Sequence, residues 1–384
     1  MRFEFATASR IIFGVGAAED AGALAAALGR CAFVLTGRRG ERAAPMLDGL
    51  RAADVETVTF AVPDEPTTDL VRQGTARARA ADCDLVVGIG GGSVIDAGKA
   101  VAALLTNGGH PLDYLEVIGR GLPITQPAAP YLAIPTTAGT GAEVTANAVL
   151  ASPEHGQKVS LRSRHLLPRV ALVDPALTYS MDPALTAATG LDAFTQVLEP
   201  YVSRMANPLT DALCREGLTR VARSLRCAHG DGEDREARED MALASLFGGL
   251  ALANAKLGAV HGLAGVLGGV FDAPHGALCG RLLPLVMETN VQALGARAPD
   301  SRALERYDDV ARILTGESDV EATDGVAWVA DLCPALGVPG LAAYGITPGA
   351  CPDVIEKAMA SSSMKGNPIE LTTSELRAVL MRAL

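Results

Sequence analysis

The sequence predicts two domains: an N-terminal α/β domain with a parallel sheet over residues 1–181, and an all-helical domain over residues 182–384. Three observations predict this. At 384 residues the chain exceeds the roughly 250–300 residues at which a single core stops growing. Its first half alternates short β-branched runs with helix-forming stretches, whereas its second half consists of long Ala/Leu-rich segments at helical period. Pro175 and Pro183 punctuate the change of texture, because proline resists continuing regular structure.

In the first half, "CAFVLTG" (31–37), "VETVTFAV" (55–62) and "DLVVGIG" (84–90) read as strands. "ERAAPMLDGLRAA" (41–53) and "TDLVRQGTARARAA" (68–81) read as the helices between them. Strand–helix–strand units of this kind build parallel sheets. "YLAIP", "NAVLAS", "KVSLRS" and "RVALVDP" continue the domain, and "TDALCREGLTRVARSLRCA" and "DMALASLFGGLALANA" are helices of the second one.

A formal net charge of −11 and a pI near 5.1 argue against a nucleic-acid binder, which carries a basic patch. No segment has the uninterrupted apolar length of a membrane span. The start, "MRFEFATASRIIFG", lacks the charged-then-apolar plan of a secretory signal. Seven scattered cysteines without a C-x-x-C pair suggest reduced core thiols. Together these imply a cytoplasmic protein whose partner is a small molecule, with neither nucleic acid nor membrane involved.

"DLVVGIGGGSVIDAGKA" carries the strongest local signal. A buried strand ends in Gly88, Gly90, Gly91 and Gly92, and Ser93 opens a helix through Asp96 and Lys99. Glycines let backbone approach a phosphate, and a helix N-terminus attracts the anion. Four glycines in five positions exceed what a plain strand-to-helix turn needs, although G-x-G-x-x-S departs from the usual dinucleotide fingerprint. A second loop, "AIPTTAGTGAEVT", offers Thr136, Thr137, Gly139, Thr140 and Gly141 at another strand end, where ligands of open α/β sheets sit. The two loops suggest a two-sided cradle for a dinucleotide. After "CAFVLTG" come Gly37, Arg38 and Arg39 in place of an acid. An acid there holds a ribose 2′-hydroxyl and an arginine accommodates a 2′-phosphate, so this turn favours NADP(H) over NAD(H).

In the second half, "GAVHGLAGVLGGVFDAPHGALCG" sets His261 and His275 among residues nearly free of charge, and "GLDAFTQVLEP" does the same for Asp192 and Gln196. Lone histidines in apolar surroundings are usually core residues. Two imidazoles and one carboxylate, however, suit Zn²⁺ or Fe²⁺ with an open coordination position. His110, His155, His165 and His229 lie in more polar contexts and read as surface residues.

These motifs, with "IIFGVGA" and "VDPALT", occur in the order found in the iron-containing alcohol dehydrogenase family, which the chain resembles over nearly its whole length. The resemblance implies an N-terminal dinucleotide-binding domain, a helical domain and a metal between them. It further implies interconversion of alcohols with aldehydes or ketones by NAD(H) or NADP(H), in a homodimer. By position Asp192, His261 and His275 match the family's metal ligands. Gln196 replaces the histidine expected one turn after the aspartate, and Gly265 replaces the histidine often assigned to proton relay. Gly37 stands where the family frequently has an acid, and Lys158 where it often has a cofactor-side lysine.

A glutamine carbonyl can coordinate metal but is a harder, weaker donor than imidazole, so Gln196 is the expected fourth ligand. Without a metal, Gln196 and a protonated His261 or His275 would stabilise an oxyanion by hydrogen bonds, as in a metal-independent reductase similar to maleylacetate reductase. A dehydroquinate synthase-like lyase shares the architecture, but residues 245–280 carry few charges for a phosphorylated substrate. A nucleotide-binding protein without catalysis is a third alternative. Trp328 reads as helix packing, and Lys365, Gly366 and Asn367 as a loop before a capped helix containing Thr373 and Glu375.

Overall fold

A computed structural model describes residues 2–271 and 273–384; Asp272 lies outside them. The described residues form two compact units, one of Ala6–Thr137 with Gly141–Tyr179, the other of Ser180–Leu384 with residues 2–5 and Ala138–Thr140.

The first unit is a doubly wound α/β layer structure. Its strands are β1 (Arg10–Phe13), β2 (Cys31–Thr36), β3 (Glu56–Ala61), β4 (Leu85–Gly90), β5 (Tyr131–Pro135), β6 (Asn147–Ser152), β7 (Gln157–Arg162) and β8 (Val170–Val173). Six of them make a parallel sheet in the order β1-β8-β5-β4-β2-β3. The central β4 and β5 are buried along their whole length, which is why they read as continuous apolar runs. β6 alternates buried and open positions and pairs with β7 as an antiparallel hairpin apart from the sheet. Helices α1 (Ala21–Ala26) and α2 (Ala44–Ala52) bury Ala25 and Leu50 against one sheet face, with Val34, Val87 and Leu132. Helices α3 (Thr68–Ala80) and α4 (Gly92–Asn107) bury Val71 and Ile95 on the other, with Phe33 and Leu35. A short α5 (Pro111–Tyr114) follows.

The chain runs from β2 to β3 on one side and then crosses to β4 on the other. The carboxyl ends of β2 and β4 therefore flank the point where strand order reverses, the usual ligand crevice of such sheets. Gly37–Arg39 and Gly90–Ser93 both leave these two strand ends.

The second unit is helical: α6 (Pro183–Val202), α7 (Pro208–Gly230), α8 (Arg235–Ala255), α9 (Ala259–Val270), α10 (His275–Arg297), α11 (Arg302–Thr315), α12 (Ala322–Ala335), α13 (Cys351–Ala360) and α14 (Thr373–Ala383). Asp182 caps α6 by accepting from Leu185 N–H at 2.8 Å, with Pro183 at the first helical position. From Gly190 to Val202 every residue of α6 is buried, so its polar residues need partners within the protein. Trp328 packs edge-on to Phe194 at 6.1 Å. Thr372 and Glu375 form a capping box on α14. No single described helix is long and apolar enough to cross a membrane.

Of the four histidines read as surface residues, only His155 is fully exposed; His110, His165 and His229 are half-buried. His110 caps α5, where its ring accepts from Leu112 N–H. All seven cysteines are unpaired, and Cys214, Cys279, Cys333 and Cys351 are buried thiols.

Candidate active site

Asp192 of α6, His261 of α9 and His275 at the start of α10 converge inside the helical unit. Asp192 Oδ1 lies 3.2 Å from His261 Nε2 and 3.8 Å from His275 Nε2. A tetrahedral centre with bonds of about 2.0–2.2 Å requires donor–donor edges of about 3.3–3.6 Å; the two separations straddle that range, so shifts of a few tenths of an ångström would let these three side chains hold a metal ion. A fourth donor, Cys279, sits one turn beyond His275 on α10, its Sγ 3.6 Å from His275 Nε2. One ligand atom from each of the four residues falls within 4.8 Å of all the others.

The helices can meet because their contact points are glycines. A Cβ at Gly276 would lie 1.9 Å from the Ala188 carbonyl oxygen, and one at Gly280 would lie 2.5 Å from Leu191 Cδ1. α10 therefore lies directly on the α6 backbone, carrying His275 and Cys279 to the level of Asp192.

Glu199, two helical turns beyond Asp192, completes the arrangement. Its Oε2 accepts from His261 Nδ1 and its Oε1 from the Val260 N–H, both at 2.7 Å. A carboxylate can only accept, so the Nδ1 proton is fixed and Nε2 is left to face Asp192. The same carboxylate occupies the N-terminus of α9, where the helix dipole favours it. Gly258 makes the approach possible, since a Cβ there would stand 2.7 Å from Glu199 Oε1. Asn367 accepts from the preceding amide, Ala259 N–H, at 3.1 Å and exchanges hydrogen bonds with Asn290. Asn367, in the loop before α14, thus caps the histidine-bearing helix.

Charge is concentrated here. Burial raises the Asp192 carboxyl, but the His261 hydrogen bond and the charges of His275 and His261 outweigh it and hold it low. Burial lowers His261, yet Cys279, Asp192 and Glu199 keep its imidazolium favoured well above the ordinary range. Burial lowers His275 too, but Cys279 above all, with Asp192, outweighs it and pushes the imidazole up to about 9. Burial raises the Cys279 thiol, and the two histidines more than reverse this, favouring thiolate.

Gln196 stands one turn after Asp192 and donates a side-chain hydrogen bond that helps hold that carboxylate low. Its Oε1 is buried without a partner and lies against α8, within 3.4 Å of where a Gly248 Cβ would be. At Gly265 a Cβ would meet nothing within 4 Å, so open space stands where a relay side chain would project. Glu199 and Cys279 lie outside the sequence-based site. Glu199 carries a readable signal, its seven-residue spacing from Asp192; Cys279 carries only its four-residue spacing from His275.

In the α/β unit, α4 begins at Gly92, one residue before the expected Ser93, with Gly91 at its N-cap. Two loop glycines answer to packing. A Cβ at Gly88 would meet the Tyr131 hydroxyl at 2.2 Å, and one at Gly90 would meet Val94 Cγ2 at 2.5 Å. Gly91 is freer, with Thr137 at 3.4 Å, and with Gly92 and Ser93 it forms the helix N-terminus open to an anion. Thr136 N–H donates to the Gly90 carbonyl at 3.0 Å, which ties the threonine loop to the glycine loop. Thr140 lies in the short segment grouped with the helical unit, where Gly139 closes on Thr189 of α6.

Asp96 is occupied within the protein: it pairs with the buried Lys99 at 2.9 Å and accepts from Val149 N–H at 2.9 Å, anchoring the β6–β7 hairpin. Lys158 pairs with Glu65. Arg38 reaches Asp64 at 2.5 Å on the surface, Arg39 is exposed, and a Cβ at Gly37 would touch only Val94 Cγ2, at 3.9 Å.

A glycine loop at a strand-order reversal, in one chain with a helical unit bearing a buried histidine–carboxylate cluster, is the architecture of a nucleotide-dependent dehydrogenase. Comparison with known proteins supplies the family: the chain belongs to the iron-containing alcohol dehydrogenases. The family's "Iron-containing alcohol dehydrogenase" pattern matches residues 8–175 and its "Fe-containing alcohol dehydrogenase family, C-terminal" pattern matches residues 186–384. The chain is 36% identical to the 1,3-propanediol dehydrogenase of Klebsiella pneumoniae over 87% of its own length and 85% of that protein's. It is 35% identical to the 4-hydroxybutyrate dehydrogenase of Cupriavidus necator, over 90% and 88%. A solved 1,3-propanediol oxidoreductase superposes with a TM-score of 0.92 at 34% identity, covering 100% of both chains. The sulfoacetaldehyde reductase of Bifidobacterium kashiwanohense, solved with NAD⁺, superposes with a TM-score of 0.86 at 28% identity, covering 99% and 98%. The protein is therefore an oxidoreductase that acts on CH–OH groups with a nicotinamide cofactor.

Proposed function

We propose that the enzyme moves hydride between NADPH, in preference to NADH, and a small alcohol–carbonyl pair, with Asp192, His261 and His275 holding Fe²⁺ or Zn²⁺ at the reacting oxygen. The observation that carries the reading is His261, held at Nδ1 by Glu199 so that Nε2 faces Asp192. When bound, the ion supplies Lewis-acid polarisation of the carbonyl oxygen. The α/β unit's part is to hold the cofactor phosphates against Gly90–Ser93 and the Thr136–Thr140 loop.

Gly37 and exposed Arg38 and Arg39 support the NADPH preference, because glycine and arginines directly follow β2 in place of the acid that would hold a ribose 2′-hydroxyl. The Gly265 position brings no side chain near the substrate oxygen, so its proton comes from solvent or a ribose hydroxyl. The same open space admits carbonyl compounds bulkier than a histidine at 265 would allow. Relatives named for 1,3-propanediol and 4-hydroxybutyrate support short-chain alcohols as the starting substrate class. A cytoplasmic homodimer belongs to the same reading, on the family resemblance.

The test is nicotinamide oxidation across a panel of short aldehydes and ketones. NADPH should give the higher kcat/KM, and His261→Ala should lower kcat/KM by about 1000-fold or more, since it removes both a metal donor and its orientation. Unchanged kcat/KM in that variant would overturn the site.

A further inference from the structure

We propose that the fourth metal ligand is the thiolate of Cys279, not Gln196, and that this sulfur donor makes the site select Zn²⁺ over Fe²⁺. The proposal rests on the reading above that Asp192, His261 and His275 bind a metal.

Geometry carries the argument. For one Zn–S bond of about 2.3 Å and one Zn–N bond of about 2.0–2.1 Å, a tetrahedron has an S–N edge of about 3.6 Å. Cys279 Sγ stands 3.6 Å from His275 Nε2, and the four donor residues form one compact group. His275 and Cys279 are four apart on α10, the spacing that puts two side chains on one helix face. Gly276 and Gly280 bracket Cys279 and allow α10 to lie on α6, so the sulfur is delivered by the same close packing that delivers His275.

Gln196 has a different role. Its side chain donates to Asp192, and its carbonyl oxygen, which has no hydrogen-bond partner, lies 3.4 Å from where a Gly248 Cβ would be. In that pose its amide orients the aspartate ligand.

Charge and donor softness agree with the assignment. The directly bound Asp192 carboxylate and Cys279 thiolate together match the charge of a divalent ion. A set of sulfur, two nitrogens and a carboxylate oxygen suits Zn²⁺, since thiolates favour softer ions and Zn²⁺, with no geometric demand of its own, can expand from four to five ligands to take the reacting oxygen.

The test uses the full-length protein, stripped of metal and titrated anaerobically with Co²⁺ alone. Wild type should show tetrahedral d–d bands together with a near-ultraviolet sulfur-to-cobalt charge-transfer band. Cys279→Ser should keep d–d absorption and lose the charge-transfer band, with Zn²⁺ affinity reduced by about 100-fold, one ligand's share of a four-ligand site. Gln196→Ala should keep the charge-transfer band. In competition dialysis, wild type should take up Zn²⁺ over Fe²⁺ by more than about tenfold, a measurement that does not depend on any variant folding. Co²⁺ bound without a sulfur band, or a sulfur band that survives Cys279→Ser, would overturn the ligand assignment while leaving the metal site standing. No Co²⁺ bound by wild type would overturn the metal reading itself.

Discussion

Replacing Glu199 by Gln tests whether the buried carboxylate sets the metal-binding face of His261. The native carboxylate accepts two hydrogen bonds at 2.7 Å, from His261 Nδ1 and Val260 N–H. Bonds to a charged acceptor contribute about 1.5–3 kcal/mol each, against about 0.5–1.5 kcal/mol for neutral ones. An amide can accept with its oxygen only, so one of the two donors loses its partner. If the amide nitrogen faces His261, Nδ1 must accept, and the ring proton moves to Nε2, the atom that should bind metal. Partners of this kind are worth about 10–100-fold in metal affinity or activity, or about 1.4–2.7 kcal/mol. Zn²⁺ affinity of the metal-free variant, by competition with a chromophoric chelator, should fall within that range, and kcat/KM should fall in parallel. Zn²⁺ affinity and kcat/KM both within about twofold of wild type would show that Glu199 does not set the metal-binding face of His261.

Three further outcomes follow from the same structure. Gly276→Ala places a methyl 1.9 Å from the Ala188 carbonyl, so thermal unfolding should show a loss of about 1–3 kcal/mol, with metal affinity lost as α10 is pushed off α6. Gly265→His enters open space, so stability should change little and a titration near about pH 6–7 should appear in the kcat profile; an unaltered profile would refute a relay role for that position. Burial lifts the Glu143 carboxyl from 4.5 to about 7, with Lys99 only partly opposing it. A raised carboxyl pKa means the folded state holds the proton more tightly, so stability falls as pH rises from the unfolded value through about 7. Glu143→Gln should flatten that dependence and stabilise the protein at pH 8 by about 1–3 kcal/mol, read from urea midpoints.

What the sequence makes legible here follows from where physics is local. β4 and β5 can be read because strands buried on both faces are continuous apolar runs. The β6–β7 hairpin stands apart from the sheet and is anchored through β6 to Asp96 and Lys99 of α4, contacts that no window of sequence contains. Asp192, His261 and His275 stand out as polar residues in apolar surroundings. Cys279 does not, because a buried cysteine resembles any small core residue and becomes a donor only when Gly276 and Gly280 bring α10 to α6. Glu199 repeats the Asp192 position two turns on, but its role depends on α9 starting opposite it. Gly88 and Gly90 show the reverse case: a glycine run that reads as a phosphate cradle includes two residues required by Tyr131 and Val94, leaving Gly91, Gly92 and Ser93 for the ligand.

Metal held by α6, α9 and α10 of this alcohol dehydrogenase can be counted by elemental mass spectrometry. The protein should be purified without chelator or nickel resin, beside an Asp192→Ala variant. About one Zn or Fe per chain in the parent, absent from the variant together with NADPH-dependent reduction, is the expected result. A parent protein that holds no metal after anaerobic incubation with Zn²⁺ or Fe²⁺, yet reduces carbonyl substrates at an undiminished rate, would contradict it.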